Sequence, residues 1–158
     1  RAAHFCGGRM QTRVAGLSTS YSVSIRFWNG MPIDSRPVLG WMFGRGQNYS
    51  AKATGDSLGL NAKGQLIFGN GQETLTGKAS AERWKWHHAL LVREGENVQV
   101  YLDGKLEISS KVKIPAPVET FFIGGNNSKQ SSWEGRLDEA AIFNRPLSAT
   151  EVKALSTP

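Results

Sequence analysis

The stretch that decides the fold is residues 86–109, WHHALLVREGENVQVYLDGKLEIS. Apolar and β-prone residues fill 86–93, and a second run of the same kind covers 98–102. The letters EGEN join the two runs as a turn, and Asp103-Gly104, a strong two-residue hairpin signal, follows at once. The pattern therefore predicts an antiparallel meander whose third strand begins after the Asp-Gly turn.

Two adjacent histidines, His87 and His88, lie in the first of these strands. Successive side chains on a strand point to opposite faces, so the two imidazoles cannot bind one metal ion together. His4 is the only other histidine and Cys6 the only cysteine, which is too few ligands for a zinc site without several carboxylates. We interpret both strand histidines as structural.

Length and composition predict a single globular domain over residues 1–158, with 39% hydrophobic and 20% charged residues. No apolar run approaches the roughly 20 residues of a membrane-spanning helix, so membrane insertion is not expected. The chain begins at Arg1 without a signal peptide, which suggests a mature or excised piece of a longer protein. The single cysteine excludes an internal disulfide.

The chain is basic, with a formal net charge of +6 and an isoelectric point near 9.7. Its nineteen lysines and arginines are spread along the whole sequence, and no basic run resembles a nucleic-acid-binding tail. We therefore expect no nucleic acid partner. The positive balance favours acidic partners such as uronic or sulfated glycans, and a solvated surface that is merely basic is the alternative.

Short strands punctuated by glycine and asparagine fill the rest of the chain. Further strands are predicted at 9–14, 21–28, 38–43, 57–60, 65–68, 120–124 and 136–143. Ser148 and Glu151 form a capping-box pattern ahead of a short helix over 149–155. Roughly ten strands with one short C-terminal helix predict an all-β fold, a two-sheet antiparallel sandwich or jelly roll.

Two motifs now point to a family. The first is the meander, read as Trp-His-x-Ala, a turn, and Val-Tyr-Leu-Asp-Gly-Lys. The second is FIGGNNSKQSSWEGRLDEAAIFNRPLSATEVKAL over 122–155, with Ile-Gly-Gly, a polar loop, Gly-x-Leu-Asp-Glu and Phe-Asn-Arg-x-Leu-Ser. The order of these two motifs, and the distance between them in the chain, resemble those of the laminin G-like branch of the concanavalin A-like lectin/glucanase superfamily. The resemblance covers nearly the whole chain and implies a concanavalin A-like jelly roll in a secreted, periplasmic or cell-surface protein.

A catalytic role is not expected. A retaining glycosidase needs two carboxyl groups about 5–5.5 Å apart, which on a strand means acids two or four positions apart. Glu94 and Glu96 have this spacing but fall in a turn, and the adjacent Asp138 and Glu139 face opposite ways. Neither a nucleophile elbow nor a phosphate-binding loop is present, so an unrecognised or degenerate glycosidase is the weakest hypothesis.

Asp138 is the candidate metal ligand. Simple alternation places it on one face with Ala140 and Ile142, where a carboxylate is costly unless it is paired or bound to a cation. The resemblance implies a structural Ca²⁺ that this aspartate holds with backbone carbonyls and acids near the first strand. Because basic and apolar residues stand where those acids are usual, the alternatives are pairing of Asp138 with Arg9 or Arg136, or plain hydrogen bonds.

The candidate glycan-binding residues combine an aromatic ring, on which a sugar can stack, with amide or cationic hydrogen-bond donors. Trp133 closes a polar loop and is predicted to be exposed, and Arg26 shares a strand face with Trp28. The candidates are Trp133 with Asn126, Asn127 and Lys129; Arg45 with Tyr49; and Arg26 with Trp28.

The remaining tryptophans are assigned by their neighbours. Trp41 and Trp86 lie in apolar strands and are predicted in the core, whereas Trp84, between Arg83 and Lys85, is predicted partly exposed. The leading hypothesis is a non-catalytic module that binds a polysaccharide or glycan, for which an acidic polymer is one option. The alternative is a structural or protein-interaction domain that positions neighbouring domains of its parent protein.

Overall fold

The computed structural model describes residues 1–32, 40–46, 55–115, 118–125 and 132–157. The elements are β1 (Ala3–Cys6), β2 (Met10–Arg13), β3 (Tyr21–Asn29), β4 (Gly40–Arg45), β5 (Ser57–Leu60), β6 (Gln65–Gly69), β7 (Thr74–Ser80), β8 (Trp86–Glu94), β9 (Asn97–Leu102), β10 (Lys105–Lys111), β11 (Thr120–Ile123), β12 (Glu134–Phe143) and α1 (Ala149–Ser156). Sheet A has the six-stranded order β1-β12-β3-β8-β9-β10, and sheet B the six-stranded order β2-β11-β4-β5-β6-β7. The two-sheet antiparallel sandwich with one C-terminal helix is confirmed.

The meander is present as predicted, because β8 pairs with β9 and β9 with β10 in antiparallel register. Two strands, β1 and β7, were not predicted from the sequence. Both lie at sheet edges, and each buries only one residue, Phe5 in β1 and Gly77 in β7. A strand that contributes so little to the core carries almost no hydrophobic alternation, and alternation is the signal on which strand prediction depends.

The core lies between the sheets and follows the alternation of the central strands. Val23, Ile25 and Phe27 of β3 point inward beside Ala89 and Leu91 of β8, and all five are buried. Fully burying a large apolar side chain contributes about 1.5–3 kcal/mol, so this layer carries much of the stability of the sandwich.

A buried ion pair links the two sheets. Asp56, just before β5, accepts hydrogen bonds from Arg93 Nε at 2.5 Å and Nη2 at 2.7 Å. The hydroxyl of Tyr21 donates to the same carboxylate at 2.6 Å. Burial, followed by the charge of Asp56, raises the pKa of Tyr21 well above its ordinary value. Removing one partner of such a pair costs about 3–5 kcal/mol because it strands the other charge.

The helix α1 packs on the outer face of sheet A, the face turned away from sheet B. Val152 is buried there in a small cluster with Leu90 and Val92 of β8. The capping box is confirmed: Ser148 Oγ accepts from the Glu151 N–H, and the Glu151 carboxylate accepts from the Ser148 N–H. Among the described residues, no helix has the length and apolar character that crossing a bilayer requires.

The strand β12 is bulged between Asp138 and Ala141, where Glu139 has a φ of +46°. A bulge inserts an extra residue and so reverses the alternation of faces beyond it. Leu137 before the bulge and Ile142 after it therefore both pack against the core. The prediction that Asp138 shares a face with Ile142 is wrong, because the register places Asp138 on the outer face of sheet A.

Candidate functional site

Trp133, predicted as an exposed stacking residue, is 0% exposed, so that prediction is wrong. Its indole packs edge-on against Phe27, with ring centroids 5.6 Å apart, and its backbone N–H donates to Gly124. The preceding residue, Ser132, bridges to Trp41 and draws the ring between the sheets. The companion residues Asn126, Asn127 and Lys129, like Tyr49, lie outside the described residues.

Arg45, predicted as a sugar-binding side chain, is 3% exposed. Its guanidinium donates hydrogen bonds to the carbonyls of Leu17, Ser18 and Val118 at 2.8–2.9 Å and lies over the ring of Tyr21. Because every one of these donors is already satisfied inside the protein, Arg45 is a structural residue and the predicted ligand role is wrong.

Arg26 shares the outer face of sheet A with Trp28, as predicted, but its donors serve the helix. Its Nη2 donates to the carbonyls of Leu155 and Thr157 at the C-terminal end of α1, at 3.3 and 3.0 Å. Its Nε donates to Glu139 at 2.8 Å. A cation at a helix C-terminus is favourable, so Arg26 holds α1 on the sheet and is not displayed to a ligand.

Beyond Arg26 the outer face of sheet A carries three tryptophans with two arginines, and no described segment lies over it. In the register, Arg136 of β12 lies opposite Trp28 of β3, and Trp28 lies opposite Trp86 of β8. Trp84, just before β8, lies with its ring centroid 5.0 Å from that of Trp28. The tryptophan platform consists of these residues together with Arg83: Trp28, Trp84, Trp86, Arg83 and Arg136.

Two of the three platform rings are exposed although they are large and apolar, and Trp28 is half-buried. Trp84 is 58% and Trp86 45% exposed, so the prediction that Trp84 is partly exposed is confirmed and the prediction that Trp86 lies in the core is wrong. Both rings are exposed because α1 does not extend over this part of the sheet. Its polar contacts with sheet A end at Arg26 and His88, each two positions along its strand from the nearest platform tryptophan, Trp28 or Trp86.

Trp84 has a φ of +64°, in the left-handed region. For a residue with a bulky side chain this conformation costs about 1–2 kcal/mol. Two backbone hydrogen bonds to Asn29 hold it, from the Trp84 N–H to the Asn29 carbonyl and from the Asn29 N–H to the Lys85 carbonyl. A strained backbone that presents an exposed ring is a feature that clusters at functional sites.

The two platform arginines stack on indoles and have no ion-pair partner within the described ranges. Arg83 lies 4.5 Å from the ring centroid of Trp84, and Arg136 lies 5.2 Å from that of Trp28. Glu82, the neighbouring acid, pairs instead with Lys85 at 2.5 Å, and this contact lowers the pKa of Glu82. The platform therefore combines open aromatic faces with two unneutralised guanidinium groups.

The sequence does contain a signal for this site. Arg83, Trp84, Lys85 and Trp86 alternate basic and aromatic residues at the entrance to β8. Alternation normally indicates one buried and one exposed strand face. Here residue 84 lies before the strand and residue 86 on its outer face, so both indoles reach solvent, and only the position of α1 distinguishes this arrangement from a core strand.

The two histidines face opposite sides of β8, as the alternation of side chains on a strand predicts. His87 Nδ1 lies 2.8 Å from Asp103, and this hydrogen bond raises the pKa of His87. His88 lies under α1, with Nε2 2.7 Å from Ser24 Oγ and Nδ1 3.0 Å from Ser156 Oγ. Burial lowers the pKa of His88.

Asp138 offers little to a metal ion. Its Oδ1 accepts a hydrogen bond from the N–H of Glu139, whose own carboxylate pairs with Arg26. In the part of the chain that the structure describes, no three His, Cys, Asp or Glu residues are grouped for metal binding. Because Ca²⁺ takes about six to eight oxygen ligands, these residues do not fit a calcium site by themselves. Calcium binding stays an untested prediction.

The jelly-roll geometry agrees with a comparison of the sequence with family models, in which a laminin G model of the concanavalin A-like lectin/glucanases superfamily matches residues 7–153. The chain belongs to this superfamily. The resemblance inferred from the meander and the C-terminal motif is therefore confirmed. No curated protein matches the chain in a sequence comparison.

Solved structures of the superfamily fold match almost the full chain. Trypanosoma rangeli sialidase in complex with the inhibitor DANA has a TM-score of 0.78 at 16% identity, over 98% of this chain and 27% of that one. Domain 4 of AbnA, a GH43 extracellular arabinanase from Geobacillus stearothermophilus, in complex with arabinotriose, has a TM-score of 0.73 at 18% identity over 99% and 76%. The CBM40 of Ruminococcus gnavus IT-sialidase has a TM-score of 0.68 at 13% identity over 87% and 83%. The chain thus spans about a quarter of the sialidase, and at these identities the likeness concerns the fold.

Proposed function

We propose that this domain is a non-catalytic carbohydrate-binding module whose ligand lies on the tryptophan platform. The observation that carries the proposal is the exposure of Trp84 and Trp86 on an uncovered sheet face, with Trp84 held there by a strained backbone. Exposed aromatic patches of this kind mark interaction sites. An indole face suits the C–H side of a sugar ring, and neighbouring guanidinium groups can donate to its oxygens.

Trp86 is the side chain best placed to stack on a sugar. Trp84 already contacts Trp28 and Arg83, and Trp28 also contacts Arg136. The indole of Trp86 has neither a ring nor a cation contact among the described residues. Its cross-strand position opposite Trp28 keeps it beside the other rings, so a sugar on Trp86 lies within reach of the rest of the platform.

The carboxylates support a non-catalytic role because many already serve the structure. Asp56 is buried against Arg93, while Glu119 pairs with Arg13 and Glu151 with Arg145. Glu107 accepts from the N–H groups of residues 78 and 79. A glycosidase needs two carboxyl groups free to exchange protons and approach the anomeric carbon, and none of these acids lies on the tryptophan platform.

Two relatives add support from their own descriptions. One is a domain of an extracellular arabinanase in complex with arabinotriose, and another is a CBM40 of a sialidase. By analogy we place this domain in a larger exported carbohydrate-active protein, next to other domains. The alternative is that the tryptophan platform docks a neighbouring domain, since an exposed apolar patch also suits a protein surface.

Electrophoresis in native gels that contain a polysaccharide tests the proposal. We would use arabinan, dextran, polygalacturonate and dextran sulfate, each with Ca²⁺ and with EGTA. At least one polymer is expected to retard the protein, and Trp86→Ala should weaken that retardation about tenfold, as loss of a binding hot spot does. The comparison of the Ca²⁺ gels with the EGTA gels tests the calcium prediction directly.

Met10→Ala is the matched control, because Met10 is also an exposed apolar residue but lies in β2 of sheet B. It should leave retardation unchanged. Equal losses for Met10→Ala and Trp86→Ala would remove the platform from the proposal. Absence of retardation by every polymer would favour the domain-docking alternative.

A further inference from the structure

We infer that the tryptophan platform selects glycans that carry carboxylate or sulfate groups, and that Arg83 and Arg136 receive these groups. The inference rests on the proposed function and specifies its ligand class. It depends on three observations. These are the order in which the platform side chains contact one another, the lack of ion-pair partners for the two guanidinium groups within the described ranges, and the charge around them.

The side chains form a continuous row. Arg136 lies over Trp28, Trp28 contacts Trp84, and Arg83 lies over Trp84, with distances of 5.2, 5.0 and 4.5 Å. Two indoles therefore separate the two cations. A sugar chain that stacks on the rings meets a guanidinium group at either end of the row.

Other described arginines show how this protein uses a guanidinium for structure. Arg93 is fully paired with Asp56, Arg45 donates to three carbonyls, and Arg26 donates to the end of α1 and to Glu139. Arg83 and Arg136 have no such partners within the described ranges. The Nε of Arg83 is buried and lacks a hydrogen-bond partner, so a ligand would be received by the terminal nitrogens of its guanidinium.

Arg83 also borders a small open cavity of about 190 Å³ next to the platform. Asn29, Met31 and Lys63 contribute to its wall, and the Asn29 side chain is committed to Ala81 and Met31. The cavity is smaller than the roughly 300–1,000 Å³ of most small-molecule sites, so it suits a substituent of a bound chain better than a whole ligand. Arg83 and Lys63 contribute two positive charges to its wall, and Glu82, which pairs with Lys85, contributes one negative charge.

The chemistry of arginine favours an anion over a neutral hydroxyl. A guanidinium stacked on an indole keeps the donors at its edge free, and these match a carboxylate or sulfate in a two-pronged geometry. Charge-assisted hydrogen bonds of this kind are roughly twice as strong as neutral ones. The net charge of +6 also draws an acidic polymer toward the domain.

Matched polymers provide the test. We would compare dextran sulfate with dextran, and polygalacturonate with its methyl ester, by affinity electrophoresis at several salt concentrations. The variants are Arg83→Gln, Arg83→Lys and Arg136→Gln. Lys105→Gln is the control, since it removes one positive charge from the exposed start of β10. Circular dichroism verifies that each variant is folded.

The inference predicts at least about tenfold tighter binding to the charged member of one pair, and a loss of about tenfold for each Arg→Gln variant. Arg83→Lys should restore only part of the affinity, because a lysine keeps the charge and loses the planar fork. Lys105→Gln should bind like the parent. A response to polygalacturonate alone identifies carboxylate as the group, and a response to dextran sulfate alone identifies sulfate.

Four results would overturn the inference in different ways. Equal binding to neutral and charged partners would reject it and leave the proposed function standing. Equal losses for Lys105→Gln and Arg83→Gln would reduce the effect to net charge. Tighter binding to poly(U) than to any glycan would assign the platform to single-stranded nucleic acid, which also stacks on aromatic rings beside cations. Absence of binding to every polymer would reject the proposed function itself.

Discussion

The outer face of sheet A has two halves that contrast in cover and composition. Under α1 lie small and polar side chains, Ser24, His88 and Arg26, beside an apolar cluster that includes Val152. On the uncovered half lie the three tryptophans of the platform. A fold governed by burial alone would place the largest apolar rings under the helix and the polar groups in water.

This inversion indicates that stability and recognition occupy separate halves of one sheet face. The polar side chains under α1 are satisfied by the helix: His88 contacts Ser156, and Arg26 binds the last carbonyls. Trp84 and Trp86 are exposed at some cost, which includes the left-handed backbone of Trp84. Proteins retain such costs at sites of function. If this division is right, changes in the covered half alter folding and leave binding unchanged.

The largest effect should come from a charge placed under the helix. In Val152→Asp, an unpaired carboxylate replaces the buried isopropyl group in the cluster below α1, and we expect a loss of about 3 kcal/mol or more in the free energy of unfolding. Urea denaturation followed by circular dichroism measures it. Ala154→Asp, on the exposed side of the same helix, should cost less than about 1 kcal/mol.

The same pair of variants tests the independence of the halves. At urea-free, low-temperature conditions where Val152→Asp remains folded, its affinity for a retarding polysaccharide should equal that of the parent. A parallel loss of affinity would mean that α1 shapes the platform, and the contrast between the halves would fail.

A second effect, of about 1 kcal/mol, should come from the backbone of the open half. Glycine adopts positive φ without the clash that alanine suffers, so Trp84→Gly should be more stable than Trp84→Ala. At Lys85, which does not have a positive φ, the order should reverse, with Lys85→Ala the more stable of that pair. Thermal unfolding of the four variants provides the comparison. The same order at both positions would show that Trp84 carries no strain.

The local features of the fold were more predictable from the sequence than the platform. The meander, the capping box and the opposite orientation of His87 and His88 follow from local patterns, namely strand alternation, an Asp-Gly turn, and a serine three residues before a glutamate. All three features are present in the fold. Each depends on residues within a few positions of one another.

The platform depends on contacts between distant segments. Trp86 and Trp133 exchange their expected places because α1 stops short of Trp86, whereas a bridge at Ser132 draws Trp133 inward. Asp138 changes face because of a bulge at Glu139, which no turn residue announces. Where a segment ends over a sheet, and where a strand gains a residue, are tertiary properties that a local pattern does not contain.

A third and similar effect concerns the start of α1. Ser148→Ala removes the side-chain oxygen that accepts from the Glu151 N–H, and we expect a loss of about 1 kcal/mol in the free energy of unfolding. Ser148→Asn, which keeps a capping oxygen, should restore most of it. Urea denaturation gives both values. If Ser148→Ala is neutral, then packing of Val152 alone positions the helix.

The smallest effect is a change of stability with pH. It should have opposite signs for His88, which lies under the helix, and His87, which lies on the other side of the strand. Ser156 donates its hydroxyl hydrogen to Val152, so its oxygen accepts from His88 Nδ1–H, and Ser24 donates to His88 Nε2. This network suits a neutral ring. The pKa of His88 is lowered, so its contribution is complete above the ordinary pKa of about 6.5 and is lost as pH falls below it.

For His87 the sign is opposite. Its pKa is raised by Asp103, so its contribution is complete below about pH 6.5 and is lost as pH rises through the folded-state pKa. Urea denaturation at pH 5 and pH 8 separates the two. Compared with the parent, His87→Gln should be more destabilised at pH 5 than at pH 8, and His88→Gln more destabilised at pH 8 than at pH 5. Because the His88 network lies under α1, glycan binding by His88→Gln should match the parent at pH 8. A pH-dependent loss of binding in that variant would connect the covered half to the platform.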